Sequence, residues 1–180
     1  HVRQKQRHVP YDHLRELPPL AAALRSLAYE ALLPLARSFL ELHRSEVLAV
    51  GRPFDLSCGR RGEEAQLPPT LAEFEGLCRR KGQGRPSCLL LRYGEDGENR
   101  AHRDLYGDVS HPLQMLILLH EPGEDFAGGE FFTLVAGREH RADARRGDII
   151  IFRTSCKHGC RRVRPGRRRP VQRHVLGLQF

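Results

Sequence analysis

The chain changes its apolar period near Pro86, and that change limits what it can fold into. Before it, "PPLAAALRSLAYEALLPLARSFLELH" from Pro18 places Leu20, Leu24, Leu27 and Ala31 at helical spacing. Pro34 is expected to end or kink that helix before a further turn carrying Phe39 and Leu42. A second helix is expected in "PPTLAEFEGLCRRKGQG", with Pro69 near its start, Leu71, Phe74 and Leu77 or Cys78 inward, and Gly82 as its stop. After Pro86 come "SCLLLRY", "LQMLILLH", "EFFTLV", "DIIIF" and "HVLGLQF", short runs of strand length separated by turns that contain glycine.

Helices first and strands second imply an α+β fold. Several antiparallel strands within residues 86–180, with a Gly-Gly connection in "EPGEDFAGGEFF" and a hairpin around Gly137, point to a double-stranded β-helix, the jelly-roll or cupin-like barrel, with the helices packed outside. The chain of 180 residues suits one domain. Its expected limits are 17–180, helical over 17–82 and jelly-roll over 86–180. Residues 1–16 are polar without apolar periodicity and read as an arm or loop, as does Arg52–Gln66.

Composition removes some classes. The 5 cysteines are odd in number and lack paired Cys-x-x-Cys spacing, which argues against a disulfide framework and for a reducing, intracellular setting in cytoplasm or nucleus. No apolar run approaches the roughly 18 residues that a membrane span needs. The first residue is His rather than Met, so N-terminal targeting is not readable. A formal charge of +8, mostly arginine, suits a polyanionic or acidic partner.

Chemistry concentrates at His102-Arg103-Asp104. In extended backbone, side chains i and i+2 share a face, so His102 and Asp104 can approach one ion. A second histidine would complete a facial two-histidine, one-carboxylate set, the donor set that suits Fe(II) and leaves positions open. His158 is the first candidate, in the short loop "RTSCKHGC" after "RRGDIIIF"; His174 is the second. His111 abuts Pro112, and His120 ends a strand that leads away from the triplet. Arg173, fifteen positions beyond His158, could bind a dicarboxylate through paired hydrogen bonds, and Tyr93 could add a phenol to the same carboxylate.

At "RPSCLLLRYGEDGENRAHRDLYGD", "PLQMLILLHEPGEDFAGGEFF", "RRGDIIIF", "KHGCRRVRPGRR" and "RHVLGLQF" the sequence resembles the Fe(II)- and 2-oxoglutarate-dependent oxygenases. It is most similar to the bacterial-type family associated with oxidative demethylation of damaged DNA, distantly related to AlkB-type enzymes. The resemblance implies His102, Asp104 and His158 as iron ligands with a catalytic role, Arg173 as the clamp for 2-oxoglutarate, Tyr93 beside that cosubstrate, and O2 as the oxidant. It implies hydroxylation of a C–H bond, with oxidative demethylation of alkylated nucleic acid as the expected outcome. Arg103 and Tyr106 are placed on the substrate side only by their nearness to the ligands. Arg161, Arg162, Arg164, Arg167, Arg168 and Arg169 form a basic run suited to phosphates. Cys156 and Cys160 lack a second cysteine pair for zinc and read as incidental thiols. Two alternatives remain open: hydroxylation of a protein side chain, as in prolyl hydroxylases, or of a small molecule; and a jelly-roll binding module without catalysis.

Overall fold

In the computed structural model, two antiparallel sheets enclose an apolar interior, and two helices cover the outer face of the larger sheet. The structure describes residues 11–13, 16–50, 67–84, 88–104 and 109–180, with side chains described from residue 16 on and not over 42–50. The expected loop Arg52–Gln66, residues 1–10 of the expected arm, the inward placement of Leu42 and the substrate residue Tyr106 lie outside the described residues.

The chain runs β1 (Tyr11–His13), α1 (Pro19–Val50), α2 (Leu71–Arg80), β2 (Leu89–Tyr93), β3 (Asn99–His102), β4 (Leu113–Leu118), β5 (Phe126–Gly128), β6 (Phe131–Val135), β7 (Arg138–Arg141), β8 (Ile149–Arg153), β9 (Lys157–Cys160), β10 (Val163–Pro165) and β11 (Arg173–Leu178). The larger sheet has the order β1-β2-β11-β4-β8 and the smaller β3-β9-β6-β7, with a two-stranded β10-β5 ribbon beside them. This is the jelly-roll architecture expected from the pattern of strands. Tyr11–His13 departs from the expected arm: it pairs with Leu89–Leu91 as an edge strand, drawn into order by the ladder rather than by any apolar period of its own.

β4 shows why the fold closes in this way. All six of its residues are buried, because the strand is covered on both faces. Leu116 and Leu118 pack inward with Tyr93, Phe126, Phe131, Val163 and Val175; Met115 and Ile117 pack outward with Cys88, Leu178 and the α1 residues Leu24 and Ala28. A near-continuous apolar run is the sequence mark of a strand buried on both sides.

The helices correct the sequence reading in two respects. Leu20 and Leu27 are 82% and 66% exposed, and the face that α1 turns inward carries Ala21, Arg25, Tyr29, Leu33, Ala36 and Leu40. Two of these carry polar atoms whose burial is compensated: Arg25 pairs with Glu75, and the Tyr29 hydroxyl donates to Pro68 O at 2.8 Å. Burying each leucine on this face contributes about 1.5–3 kcal/mol. Of the two outcomes expected at Pro34, an end or a kink, the end is excluded: Pro34 lies inside α1 on an exposed face, where water can satisfy the carbonyl it leaves without an N–H. α2 follows expectation, with Thr70 as N-cap accepting from Glu73 N, Leu71 and Phe74 buried, and Gly82 at φ 77° just past its end. The hairpin at Gly137 joins β6 to β7 through Ala136 and Gly137, both at positive φ, as a two-residue hairpin turn requires. Among the described residues no helix is long and apolar enough to cross a membrane.

Candidate metal centre

β3 and β9 pair so that His102 and His158 are register partners. Alternation then puts both imidazoles on one face of the ladder, with ring centroids 4.4 Å apart. Asp104 reaches between them: Oδ1 lies 3.4 Å from His102 Nε2, and Oδ2 lies 3.3 Å from His158 Nε2. One ligand atom from each of the three lies within 4.8 Å of the others. His102 Nδ1 faces Arg100 O at 2.7 Å, and His158 Nδ1 faces Cys156 O at 3.3 Å. A carbonyl can only accept, so in the neutral rings Nδ1 carries the proton and the Nε2 lone pair is turned toward the carboxylate. Lone pairs and carboxylate oxygens converging on one point are stabilised by a cation between them, which is the arrangement a metal ion needs.

His158 stands on a strand rather than in the loop expected for it. Thr154 N donates to Pro112 O and Cys156 N to Arg153 O, which completes the turn and leaves Lys157–Cys160 free to pair between β3 and β6. Gly159 permits this close fit. A Cβ there would lie 2.5 Å from Asn99 O and 2.7 Å from the Phe132 ring. Phe152 and Phe131 pack on the His158 imidazole, with centroids at 4.7 and 5.9 Å.

Two residues at this centre were missed by the sequence reading. Gln179 Nε2 donates to Asp104 Oδ2 at 3.1 Å and to Gln114 Oε1 at 3.2 Å. Gln114 had a signal, since it is the one polar side chain in the fully buried run "LQMLIL". Gln179 had none. Arg103 is exposed, and its Nε donates to Ser155 O at 2.8 Å, which ties the ligand segment to the turn before β9.

Arg173 occupies the same inter-sheet interior. It opens β11 opposite Tyr93, and its guanidinium carbon lies 4.7 Å from the Tyr93 ring centroid and 5.6 Å from that of Phe126. The residue is buried, and its Nε and Nη1 have no hydrogen-bond partner. A buried cation with unused donors is costly by itself and favours an anion. Gly129 makes room for it: at φ 66°, a Cβ at this position would lie 2.9 Å from Arg173 Cδ. The Gly-Gly pair read as a strand connection is therefore also part of the arginine's cradle. Burial pushes the Tyr93 phenol well above its ordinary range and the Cys160 thiol up to about 11, so both are neutral at physiological pH.

A model of the Oxygenase-NA family, described as "Oxygenase, catalysing oxidative methylation of damaged DNA", matches residues 11–180. The chain belongs to this oxygenase family. An uncharacterised protein of Mycobacterium tuberculosis, found in two strains, is 30% identical over 178 residues, which cover 87% of this chain and 66% of the relative. The chain thus spans just under two thirds of that relative's length. A 2OG-Fe(II) oxygenase family oxidoreductase from Burkholderia pseudomallei superposes with a TM-score of 0.43 at 25% identity, covering 51% of this chain and 41% of the other. A prolyl-4-hydroxylase from Pseudomonas putida superposes with a TM-score of 0.41 at 24% identity, covering 61% and 59%.

His111, His120 and His174 stand apart from the triad. His111 is buried against Tyr29, Phe74 and Phe180, and burial pushes its pKa down to about 4. His120 packs on His174 at 4.7 Å, and its Nδ1 accepts from His174 N, so the second candidate ligand is engaged elsewhere. Cys160 donates to Gly129 O and Arg161 O, while the Cys156 carbonyl faces His158 Nδ1. Most of the basic run is paired with carboxylates: Arg161 with Glu139, Arg162 with Asp96 and Glu98, Arg167 and Arg168 with Glu124, and Arg169 with Glu95.

Proposed function

We propose that the protein is an Fe(II)- and 2-oxoglutarate-dependent oxygenase that removes methyl groups oxidatively from alkylated nucleic acid. The observation that carries this reading is the convergence of His102 Nε2, the Asp104 carboxylate and His158 Nε2 in an interior that also holds a buried guanidinium with unused donors. The three side chains fit a facial two-histidine, one-carboxylate iron site. Arg173 fits the far carboxylate of 2-oxoglutarate. His158 and Cys160 lie on one face of β9, one strand repeat or about 7 Å apart. Cys160 and Arg173 both approach Gly129, which puts the clamp beside the β9 face that carries His158.

Iron and 2-oxoglutarate, once bound, supply the activation of O2 that oxidises a C–H bond. The protein's own residues orient and shield. Tyr93 and Phe126 pack their rings on the guanidinium, Phe131 and Phe152 keep water from the His158 side, and the backbone carbonyls of Arg100 and Cys156 fix the two imidazoles. The nucleic-acid substrate is supported by the family description, the +8 charge and the arginine run. A methylated base would have to be single-stranded or flipped out to reach the centre. A second reading, hydroxylation of a protein side chain or small molecule, is favoured by the carboxylates that already engage most of that run.

The deciding experiment is anaerobic titration with Fe(II) and 2-oxoglutarate, followed by succinate and formaldehyde release with methylated single-stranded DNA and RNA and with peptides. Formaldehyde released in step with succinate from methylated nucleic acid is the expected result. Succinate stimulated by peptide alone would move the assignment to the second reading.

A further inference from the structure

We propose that Gln179 is a positioning residue for the metal-binding carboxylate, and that it ties the metal centre to the helical layer; this rests on the reading of His102, Asp104 and His158 as metal ligands.

The three candidate ligands are not held equally. His102 and His158 sit on paired strands, and each ring is fixed by a backbone carbonyl two residues earlier. Asp104 lies beyond the end of β3, where no ladder hydrogen bond sets its direction. Each side-chain hydrogen bond to such a carboxylate lowers the entropy lost when a metal orders it. Gln179 supplies one. Strand alternation places residue 179 on the same inward face as Arg173 and Val175, one residue past β11. Its amide nitrogen has two hydrogens, and the two acceptors before it are Asp104 Oδ2 at 3.1 Å and Gln114 Oε1 at 3.2 Å. With both partners accepting, the amide can present only its nitrogen to the centre. Its hydrogen bond engages Oδ2 and so biases the carboxylate toward binding a metal through Oδ1, the oxygen nearer His102.

The main chain of the same residue is anchored from the other side. Arg25 Nε donates to Gln179 O at 2.7 Å, and the Arg25 guanidinium pairs with Glu75 of α2. Glu75, Arg25, Gln179 and Asp104 therefore form one polar chain from the outer helices to the candidate metal. A purely structural role would need only the Arg25 half of it.

The test compares Gln179→Met, close in volume but unable to donate, with Arg25→Met, which removes the anchor and leaves the amide in place. Full-chain protein is titrated with Mn(II) by calorimetry and with Co(II) by visible absorption, and thermal midpoints are recorded without metal. Gln179→Met should weaken Mn(II) binding by about 10- to 100-fold and shift the Co(II) ligand-field bands, as loss of an outer hydrogen bond to a ligand does. Arg25→Met should lower the thermal midpoint more than Gln179→Met while leaving the Co(II) bands nearer to wild type. Unchanged Mn(II) affinity and Co(II) spectrum in Gln179→Met would overturn the proposal while the metal site stood. Metal affinity that fell in both variants only in step with their thermal midpoints would also overturn it. Wild-type protein that bound neither ion would instead remove the reading on which the proposal rests.

Discussion

His102 and His158 face each other across the β3–β9 ladder as register partners, and their imidazoles meet at 4.4 Å because alternation sends both to the inner face. Two thirds of the candidate centre is thus a property of strand pairing, and the pairing should survive conservative replacement of either ring. His158→Gln, which keeps polar volume against Phe152, is expected to weaken Mn(II) binding by at least about 100-fold, since losing a ligand should cost more than losing an outer partner. Circular dichroism should stay close to wild type. Calorimetry showing near-native Mn(II) affinity in this variant would remove His158 from the ligand set.

Arg173 and Gly129 form the second relationship. The unused donors of a buried guanidinium should bind the far carboxylate of 2-oxoglutarate through charge-assisted hydrogen bonds, each contributing about 1.5–3 kcal/mol. Arg173→Lys keeps the charge and loses the planar donor set, so the Kd for 2-oxoglutarate measured with Mn(II) present should rise at least about tenfold. Gly129→Ala should raise it too, without touching any donor, because the added Cβ would lie 2.9 Å from Arg173 Cδ and φ is 66°. Mn(II) affinity measured without 2-oxoglutarate should change little in both. A Kd for 2-oxoglutarate that stayed the same in Arg173→Lys would place the cosubstrate elsewhere.

How far such relationships can be read from sequence depends on whether they are local. The β4 run, the Gly137 hairpin, α2 and its cap follow from spacing and turn chemistry, and the jelly-roll follows from them. His102 and Asp104 were visible as neighbours in sequence; His158 and Arg173 were visible as candidates from their places after "RRGDIIIF" and before "HVLGLQF", and the family resemblance supplied their roles. What stayed hidden is non-local. α1 turns Arg25 and Tyr29 inward and Leu20 and Leu27 outward because Glu75 and Pro68 O satisfy the buried polar atoms, and those partners lie 50 and 39 residues away. Gln179 was invisible for the same reason, since its acceptors come from Asp104 and Gln114.

His111 gives the fold a pH dependence of its own. Its pKa is about 4 when folded, chiefly through burial, against about 6.5 in an unfolded chain. As pH falls through 6.5 the unfolded chain takes up the proton first, so stability present above that value declines toward pH 4. The loss should reach about 2 kcal/mol by pH 5 and about 3 kcal/mol at the lower end. Urea unfolding of metal-free protein at pH 7 and pH 5 measures it. In His111→Leu the loss between these two pH values should be smaller by about 2 kcal/mol; an equal loss in both proteins would show that His111 does not titrate as a buried neutral imidazole.

The arginine run yields the sharpest test of the nucleic-acid reading. Arg167 and Arg168 share Glu124, with Arg167 Nη1 at 2.9 Å, while Arg164 forms no ion pair with the described residues. Exposed ion pairs of this kind add little to stability, so removing one should alter charge without altering fold. If phosphates engage the run, Arg164→Ala should lower the slope of log K against log salt by about one for single-stranded DNA. Glu124→Gln should act in the opposite direction, releasing the Arg167 guanidinium, leaving Arg168 with Asp125 alone, and tightening binding most at low salt. Fluorescence anisotropy with a labelled oligonucleotide at several salt concentrations reads both effects. Slopes that coincide for wild type and both variants would mean that the run is a neutralised surface, and would turn the search for substrate toward proteins and small molecules.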